Sequence, residues 1–144
     1  MQVIGFNFTK IMAERPTESV RGATINTNIE FANIENENLP LLKDQSALKI
    51  TFKFSVNYID AGQKKETSLG NILFEGVILI ATPPAVAKEL LKNWKKKELT
   101  HAAQLPLFNL ILRRCTLKAL DLEDQVGLPT HIPLPHLSPK TDEG

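Results

Sequence analysis

The amino-acid sequence predicts an α+β fold in which a four-stranded antiparallel sheet is followed by a short helix and a long helix. Two patterns along the 144 residues lead to this prediction. Up to Thr82, apolar and polar residues alternate in four segments, as they do in half-buried strands. After Pro83 the apolar residues recur every three or four positions, as in amphipathic helices. Because the strands precede the helices, an antiparallel sheet is favoured over an alternating α/β fold.

The predicted strands cover residues 4–8, 23–33, 48–58 and 71–82. The third strand is the clearest, because every second residue from Leu48 to Tyr58 is apolar. The fourth becomes apolar on both faces toward Ile80, so we expect a helix or another subunit to cover each face.

The segments between the strands are rich in polar and turn-forming residues. We expect loops at 15–22 and 35–45, and a hairpin connection containing Gly62 at 60–70. Gly76 lies inside the fourth strand, where a glycine indicates a bulge or the close approach of another segment.

The two predicted helices have recognisable ends. The first covers residues 85–97, after two prolines that are harmless at a helix start, with Thr82 as its N-cap. The second begins near Pro106 and runs to about Gln125. Gly127 is a natural stop for it, and Pro129 follows soon after.

The chain length and composition predict one globular domain, residues 1–137, with a flexible tail at 138–144. The longest apolar run, 77–81, is far too short to span a membrane, so we expect no membrane insertion. The single cysteine excludes an internal disulfide and fits a reducing cytoplasm. The formal charge of +1 gives no overall attraction to nucleic acid.

The residues that carry out chemistry are sparse. His131 and His136 lie in a proline-rich stretch without accompanying cysteines, so we expect surface or packing histidines and no metal site. Cys115 lies on the apolar stripe of the second helix, which is typical of an inert buried thiol. With no phosphate-binding glycine loop and no catalytic motif, we expect neither catalysis nor a cofactor.

A lysine cluster, Lys92, Lys95, Lys96 and Lys97, lies at the end of the first helix. The simpler interpretation is a solvated helix end whose charges suit the helix dipole. The alternative is a patch that contacts RNA, a ribosome or an acidic client, with Trp94 as a stacking group. The candidate contacts are then Lys92, Lys95, Lys96, Lys97, Arg113 and Arg114.

The chain carries more apolar surface than a monomer of this size is expected to cover. An oligomer, or an exposed groove for apolar peptide, would use this surface. The last nineteen residues, VGLPTHIPLPHLSPKTDEG, are too proline-rich for a helix. We expect Leu128, Ile132 and Leu134 to pack along the sheet or a neighbouring subunit. The alternative is a proline-rich ligand for a partner's aromatic groove.

Two segments, NILFEGVILI (71–80) and LPLFNLILRRCTLKALDLEDQVGLPTHIPL (105–134), carry a resemblance to a known family. The first is similar to the last sheet strand of the SecB-type preprotein chaperones, and the second to their long helix and the extended segment after it. The resemblance covers residues 47–137. In the long helix an apolar-aromatic start, here Leu107 and Phe108, precedes an arginine and a small residue, here Arg114 and Cys115. This chain is neutral to slightly basic where the family is acidic, so the resemblance implies a chaperone-like fold more directly than a role in export.

The resemblance implies a homodimer or a dimer of dimers that binds unfolded clients in apolar grooves, without cofactor or catalysis. It implies a client groove from Phe52, Phe54, Leu73, Val77, Leu79 and Trp94, with the two phenylalanines as backing or rim. It implies an oligomer interface from Phe108, Leu112, Cys115 and Ala119.

The sequence therefore favours a chaperone-like homo-oligomer that binds exposed apolar segments of unfolded or partner proteins. A chaperone that accompanies a toxin–antitoxin pair is one form of this hypothesis. The alternative is a ribosome- or RNA-associated factor, for instance a homodimer that docks on ribosomal subunits through the lysine cluster. The two differ in salt dependence, because phosphate contacts weaken steeply with salt and apolar contacts do not.

Overall fold

The computed structural model describes residues 1–16, 22–60 and 67–139, and within them the chain forms four strands followed by two helices. The expected loop at 15–22 and the expected hairpin turn around Gly62 lie largely outside the described residues, as does most of the expected tail. The elements are β1 (Gln2–Glu14), β2 (Thr24–Glu37), β3 (Ser46–Asp60), β4 (Thr67–Thr82), α1 (Pro84–Lys95) and α2 (His101–Val126).

The strands form one antiparallel sheet in the order β1-β4-β3-β2. The predicted α+β fold class is thus confirmed, and β1 and β2 are the two edge strands. β1 is much longer than the predicted strand at 4–8. Its register shifts after Val3 and Phe8 interrupt the alternation of apolar and polar residues, so the sequence pattern shows only part of the strand. β2 carries a similar shift between Phe31 and Asn33.

One face of the sheet, here the helix face, packs against α1 and α2. The alternating residues of β3 from Leu48 to Tyr58 are almost completely buried on this face. The helices contribute the buried residues Ala87, Leu90, Leu107, Ile111, Cys115 and Ala119. The core therefore lies between the sheet and the helices, and α2 supplies a stripe with the four-residue spacing of one helix face.

The opposite face of the sheet, here the outer face, is only partly exposed. Lys49 and Thr51 of β3 lie on it beside Leu79 and Val77 of β4, which are half-buried. We expected both faces of β4 to be covered, but within the described residues the two helices pack on the helix face. Cover for the outer face by another subunit stays a prediction.

Gly76 confirms the expected close approach. It pairs with Phe52 across the strands, and a Cβ at Gly76 would lie 2.5 Å from the Phe52 ring. The ring lies over the backbone of β4 because the glycine leaves the space for it.

The helix ends correct two predictions. Thr82 is the last residue of β4, and the N-cap of α1 is Pro83, which makes no side-chain cap bond. α2 begins at His101, earlier than predicted. Its N-cap is Thr100, whose hydroxyl accepts from the Ala103 N–H at 3.2 Å. Pro106 lies inside this helix, where it removes one backbone donor without ending the helix.

The proline-rich segment after α2 is extended and mostly exposed. Gly127 ends α2 in the left-handed conformation, as predicted, and Leu128 is buried at 6% exposure. Ile132 and Leu134 are 37% and 48% exposed, so of the three residues expected to pack, Leu128 does so most completely. None of the helices in the described ranges is long and apolar enough to cross a membrane.

Candidate functional site

An apolar pocket of about 350 Å³ lies at the edge of the sheet formed by β2. It is bounded by β2, by the end of α1 with the turn after it, and by the first turns of α2. This edge pocket is lined by Ile29, Glu30, Phe31, Trp94, Lys97, Leu99, Gln104 and Phe108. Since β2 pairs with β3 on one side and is last in the sheet order, its other side is, within residues 1–16, 22–60 and 67–139, a free strand edge beside the pocket.

The wall of the edge pocket is built from stacked aromatic rings. Phe31 of β2 and Phe108 of α2 are stacked, with ring centroids 4.7 Å apart and an interplanar angle of 10°. Trp94 is half-buried and packs against the same core. The Gln104 side-chain N–H donates to the Leu99 carbonyl at 3.0 Å, which holds the turn before α2 against the helix. The pocket is thus largely preformed, which lowers the ordering cost of binding.

The turn after α1 brings Lys97 into the pocket wall. The Lys97 N–H donates to the Trp94 carbonyl at 3.0 Å, and the Glu98 N–H donates to the Asn93 carbonyl at 2.8 Å. These two bonds form a Schellman motif, which requires a left-handed residue at the position of Lys97. Lys97 has φ 55°, the sole positive φ at a residue other than glycine in the described ranges.

The six client-groove candidates do not form one surface. Trp94 lines the edge pocket, whereas Phe52 and Phe54 are completely buried inside the core. Leu73, Val77 and Leu79 alternate with the buried residues of β4 and therefore lie on the outer face. The sheet lies between these three side chains and Trp94. The six candidates therefore do not line a single groove: Trp94 belongs to the edge pocket, and Leu73, Val77 and Leu79 belong to the outer face.

The four oligomer-interface candidates also divide. Phe108 lines the edge pocket, and Cys115 and Ala119 are completely buried against the sheet of their own chain. Burial raises the pKa of the Cys115 thiol to about 12; the positive charge of Arg114 acts in the opposite direction but is the smaller effect. Leu112 is 40% exposed and is the one of the four that a partner could reach at the outer side of α2.

The candidate RNA contacts lie at opposite edges of the sheet. Lys97 lines the edge pocket beside β2, and Lys92, Lys95 and Lys96 are exposed close to it in the chain. The Arg114 guanidinium lies 4.7 Å from the centroid of the Phe6 ring of β1, a cation–π contact. Because β1 and β2 are the two outermost strands, the lysines and Arg114 do not form one patch.

Sequence reasoning named three of the eight residues that line the edge pocket, Trp94, Lys97 and Phe108. Ile29, Glu30 and Phe31 lie within the predicted second strand, and Leu99 and Gln104 lie between the predicted helices; none of the five was assigned to a site. The alternation of Ile29 and Phe31 was visible, but nothing in the sequence indicates that β2 is an edge strand. Only the order of strands in the sheet brings these side chains beside Trp94.

A second apolar surface lies on the outer side of α2. A shallow hollow there is lined by Leu112, Arg113, Thr116, Leu117 and Ile132, so it continues from the helix onto the proline-rich segment. Leu117 is 65% exposed. We call this the α2 outer surface.

A buried polar cluster fastens the proline-rich segment to the end of α2. The Tyr58 hydroxyl donates to the Glu123 carboxylate and lies 2.8 Å from the Pro129 carbonyl oxygen. The His131 N–H donates to Glu123 Oε2 at 2.9 Å, and His131 Nδ1 lies 3.0 Å from Oε1. Burial, then the hydrogen bond to Glu123 and its negative charge, raises the pKa of Tyr58. The Glu123 side chain is completely buried, so these partners replace its hydration.

The described residues hold no group of three or more side chains arranged to bind a metal ion. The edge pocket combines apolar walls with a free strand edge, an arrangement that can hold an extended peptide. The cluster of Tyr58, Glu123 and His131 is enclosed and holds two segments of the chain together.

Comparisons with known proteins support the fold. No family model matches the chain, and no curated protein matches it. Among solved structures, it is similar to the Mycobacterium tuberculosis SecB-like chaperone Rv1957 in complex with a ChAD peptide from the HigA1 antitoxin Rv1956. The TM-score is 0.53 at 16% sequence identity, and the match covers 97% of this chain and 92% of that chain. The likeness shows a SecB-like fold. At 16% identity it does not show that the chain belongs to the family.

Proposed function

We propose that this protein is a chaperone-like binding protein that takes up exposed apolar segments of unfolded or partner proteins at the edge pocket. One observation carries the proposal, namely that a preformed apolar pocket lies directly beside the free edge of β2. The proposal needs no cofactor and no catalytic step. The structural neighbour, which holds a peptide from a partner protein, supports a ligand of the same kind here.

The proposed binding mode is the addition of a peptide strand to β2. An extended segment would pair its backbone with the free N–H and C=O groups of β2, which gives affinity without sequence preference. Alternate side chains of that segment would point toward the helix face and enter the pocket between Phe31, Trp94 and Phe108. Specificity would come from these side chains.

We also propose that the chain forms homo-oligomers through the α2 outer surface. Leu112, Leu117 and Ile132 form an apolar strip, and Leu117 would gain most from being covered because it is largely exposed. This surface lies on the side of α2 away from the core. A dimer formed there would leave the free edge of β2 accessible.

The proposed function is tested by suppression of aggregation of a chemically unfolded model protein, followed by light scattering. Trp94→Ala is expected to abolish suppression because it opens the pocket wall, while Leu41→Ala, at a 93% exposed leucine outside both the pocket and the α2 outer surface, leaves suppression unchanged. Circular dichroism checks that both variants are folded. Equal suppression by wild type and Trp94→Ala would contradict the proposed site.

The oligomeric state and the RNA-binding alternative are tested by separate measurements. Sedimentation of Leu117→Asp is expected to show a smaller species than wild type, because a charge in an apolar contact opposes association. The ribosome- or RNA-associated alternative would be favoured by RNA binding that weakens steeply with salt and is lost when the lysine cluster is neutralised.

A further inference from the structure

We infer that the edge pocket selects extended segments in which a large apolar side chain is flanked by acidic residues. This inference rests on the proposed function and names the chemical class of the segment that binds. It is drawn from the charges around the pocket and from the backbone conformation of Lys97.

Positive charge is concentrated in the segment around Trp94 and Lys97, two residues that line the edge pocket. Lys97 lines the pocket together with Trp94, and Lys95 and Lys96 lie between these two residues in the chain. Lys92 is one helical turn before Lys96, about 6 Å along the axis. Three carboxylates are near these four lysines, Glu30 in the pocket wall, Glu89 one turn before Lys92 and Glu98 after the turn, so the cations outnumber the anions.

The lysine cluster is not neutralised by the part of the chain that the structure describes. Within the described residues, the ion pairs of Lys49 with Glu35 and of His131 with Glu123 do not involve the cluster, and none is found for its four lysines. The dipole of α1 is equivalent to about half an elementary charge at its end, which is far less than four lysines supply. The cluster therefore leaves a local positive field that an acidic segment would neutralise.

The conformation of Lys97 indicates that its side chain is used. Its left-handed φ of 55° is one that glycine adopts without strain and that other residues adopt at a cost of about 1–2 kcal/mol. A lysine held in that conformation places a long cationic side chain in the pocket wall, where glycine would place none. An observed strained residue at a pocket is a reasonable starting point for a functional hypothesis.

An acidic peptide fits these observations better than RNA does. The Trp94 ring is half-buried against the core, whereas a base-stacking platform needs an exposed ring face. Arg114 is engaged with Phe6 at the other edge of the sheet, and the formal charge of the chain is only +1. The free edge of β2 beside the pocket pairs with a peptide backbone, which nucleic acid does not offer.

The experiment measures fluorescence anisotropy with three short labelled peptides that share an alternating apolar centre with one phenylalanine. Their flanks are aspartate, serine or lysine. The aspartate-flanked peptide is expected to bind about fivefold more tightly than the serine-flanked one, since exposed ion pairs contribute little each but act together here. The advantage should shrink as salt is added, because the charges are exposed.

Two double variants locate the effect. Lys95→Gln with Lys96→Gln is expected to remove most of the preference for aspartate flanks while the serine-flanked peptide binds as before. The matched control, Lys10→Gln with Lys118→Gln, removes two lysines at the opposite edge, where Lys10 belongs to β1 and Lys118 lies beside Phe8. The control should keep the full preference.

The outcomes separate this inference from the proposed function. Equal binding of the aspartate- and serine-flanked peptides, or tightest binding of the lysine-flanked one, overturns the acidic preference and leaves peptide binding intact. Failure of all three peptides to bind overturns the proposed function itself. Displacement of the aspartate-flanked peptide by a uridine oligonucleotide that no longer binds the Lys95→Gln, Lys96→Gln variant would overturn the inference and assign the lysines to nucleic acid.

Discussion

The two helices end in turns that share one backbone hydrogen bond but have different residues at the left-handed position. The Glu98 N–H donates to the Asn93 carbonyl after α1, and the Leu128 N–H donates to the Glu123 carbonyl after α2. Lys97 has the positive φ in the first turn and Gly127 in the second. The turn after α2 is therefore built from the residue that suits it, and the turn after α1 is not.

The surroundings of the two turns also differ, because the turn after α2 is packed against the core and the turn after α1 is open. After α2, Leu128 is buried and Glu123 is fixed by Tyr58 and His131. After α1, Glu98 is exposed and the chain borders an open pocket. The comparison indicates that the end of α2 stabilises the fold, whereas the end of α1 retains conformational strain where we place the binding site.

The largest expected effect comes from removing the acceptor at the end of α2. Glu123→Ala leaves two His131 donors buried without their acceptor and leaves the Tyr58 hydroxyl with the Pro129 carbonyl oxygen as its remaining acceptor, which should lower the free energy of unfolding by about 3–5 kcal/mol. Urea denaturation measures it. The control is Asp124→Ala, an exposed neighbour on the same helix, which should change stability by less than about 0.5 kcal/mol. A loss below about 1 kcal/mol for Glu123→Ala would show that the cluster does not fasten the segment.

The next effect concerns alkaline pH. The pKa of Tyr58 is raised in the folded protein, so the unfolded chain releases the phenolic proton first, and stability falls as pH rises above the ordinary tyrosine value of 10.0. Near pH 11 this contributes a loss of about 1.4 kcal/mol. Cys115, whose pKa rises from 9.0 to about 12, adds a loss that begins at lower pH.

The single tyrosine makes this prediction directly measurable, because tyrosinate absorbance reports Tyr58 alone. Folded protein at about pH 11 should show little tyrosinate, and unfolding in urea at the same pH should release it. In Tyr58→Phe, stability should fall less between about pH 8 and pH 11 than in wild type. Titration of Tyr58 in the folded protein near its ordinary pKa would contradict the buried environment.

A smaller effect is expected at the turn after α2. Gly127→Ala places a Cβ at φ 72°, which should lower the free energy of unfolding by about 1 kcal/mol. The added Cβ would lie 3.6 Å from the Arg15 guanidinium carbon, an ordinary contact, so backbone strain is the main cost. Gln125→Ala, two residues earlier in the exposed last turn, should change stability by only a few tenths of a kcal/mol. Equal effects of the two substitutions would remove the basis of the comparison.

The elements that could be predicted from the sequence are those with a regular pattern of apolar residues or a characteristic end residue. The alternation from Leu48 to Tyr58 identified the central strand, and Gly127 marked the end of α2 correctly. Glu123 continues the four-residue stripe of Cys115 and Ala119, so a charged residue in a buried stripe was a signal available in the sequence. The pairing of Glu123 with His131 could not be predicted from the sequence, because the helical periodicity does not continue into the proline-rich segment that contains His131.

The candidate site was less predictable for a different reason. Trp94 and Lys97 were named together from the sequence only as candidate RNA contacts, whereas the apolar-groove hypothesis included Trp94 without Lys97. The structure places both in the wall of one pocket with Phe31 and Phe108. That assembly depends on β2 being an edge strand, and strand order is a long-range property that no local pattern records.

The smallest expected effect is the sharpest test of the comparison, because its sign is unusual. Lys97→Gly relieves the left-handed strain and should raise the free energy of unfolding by about 0.5–1 kcal/mol. Lys96→Gly is the matched control, because Lys96 has φ −89° and a glycine there should lower stability by about 0.5–1 kcal/mol.

The same Lys97→Gly protein should bind the aspartate-flanked peptide more weakly than wild type, since it loses a cation from the pocket wall. Higher stability with weaker binding is the combination expected when a strained residue is retained for function. Higher stability with unchanged binding would mean that Lys97 is strained without a role in recognition. Lower stability would mean that its side chain contributes packing that outweighs the strain, and the contrast between the two turns would no longer hold.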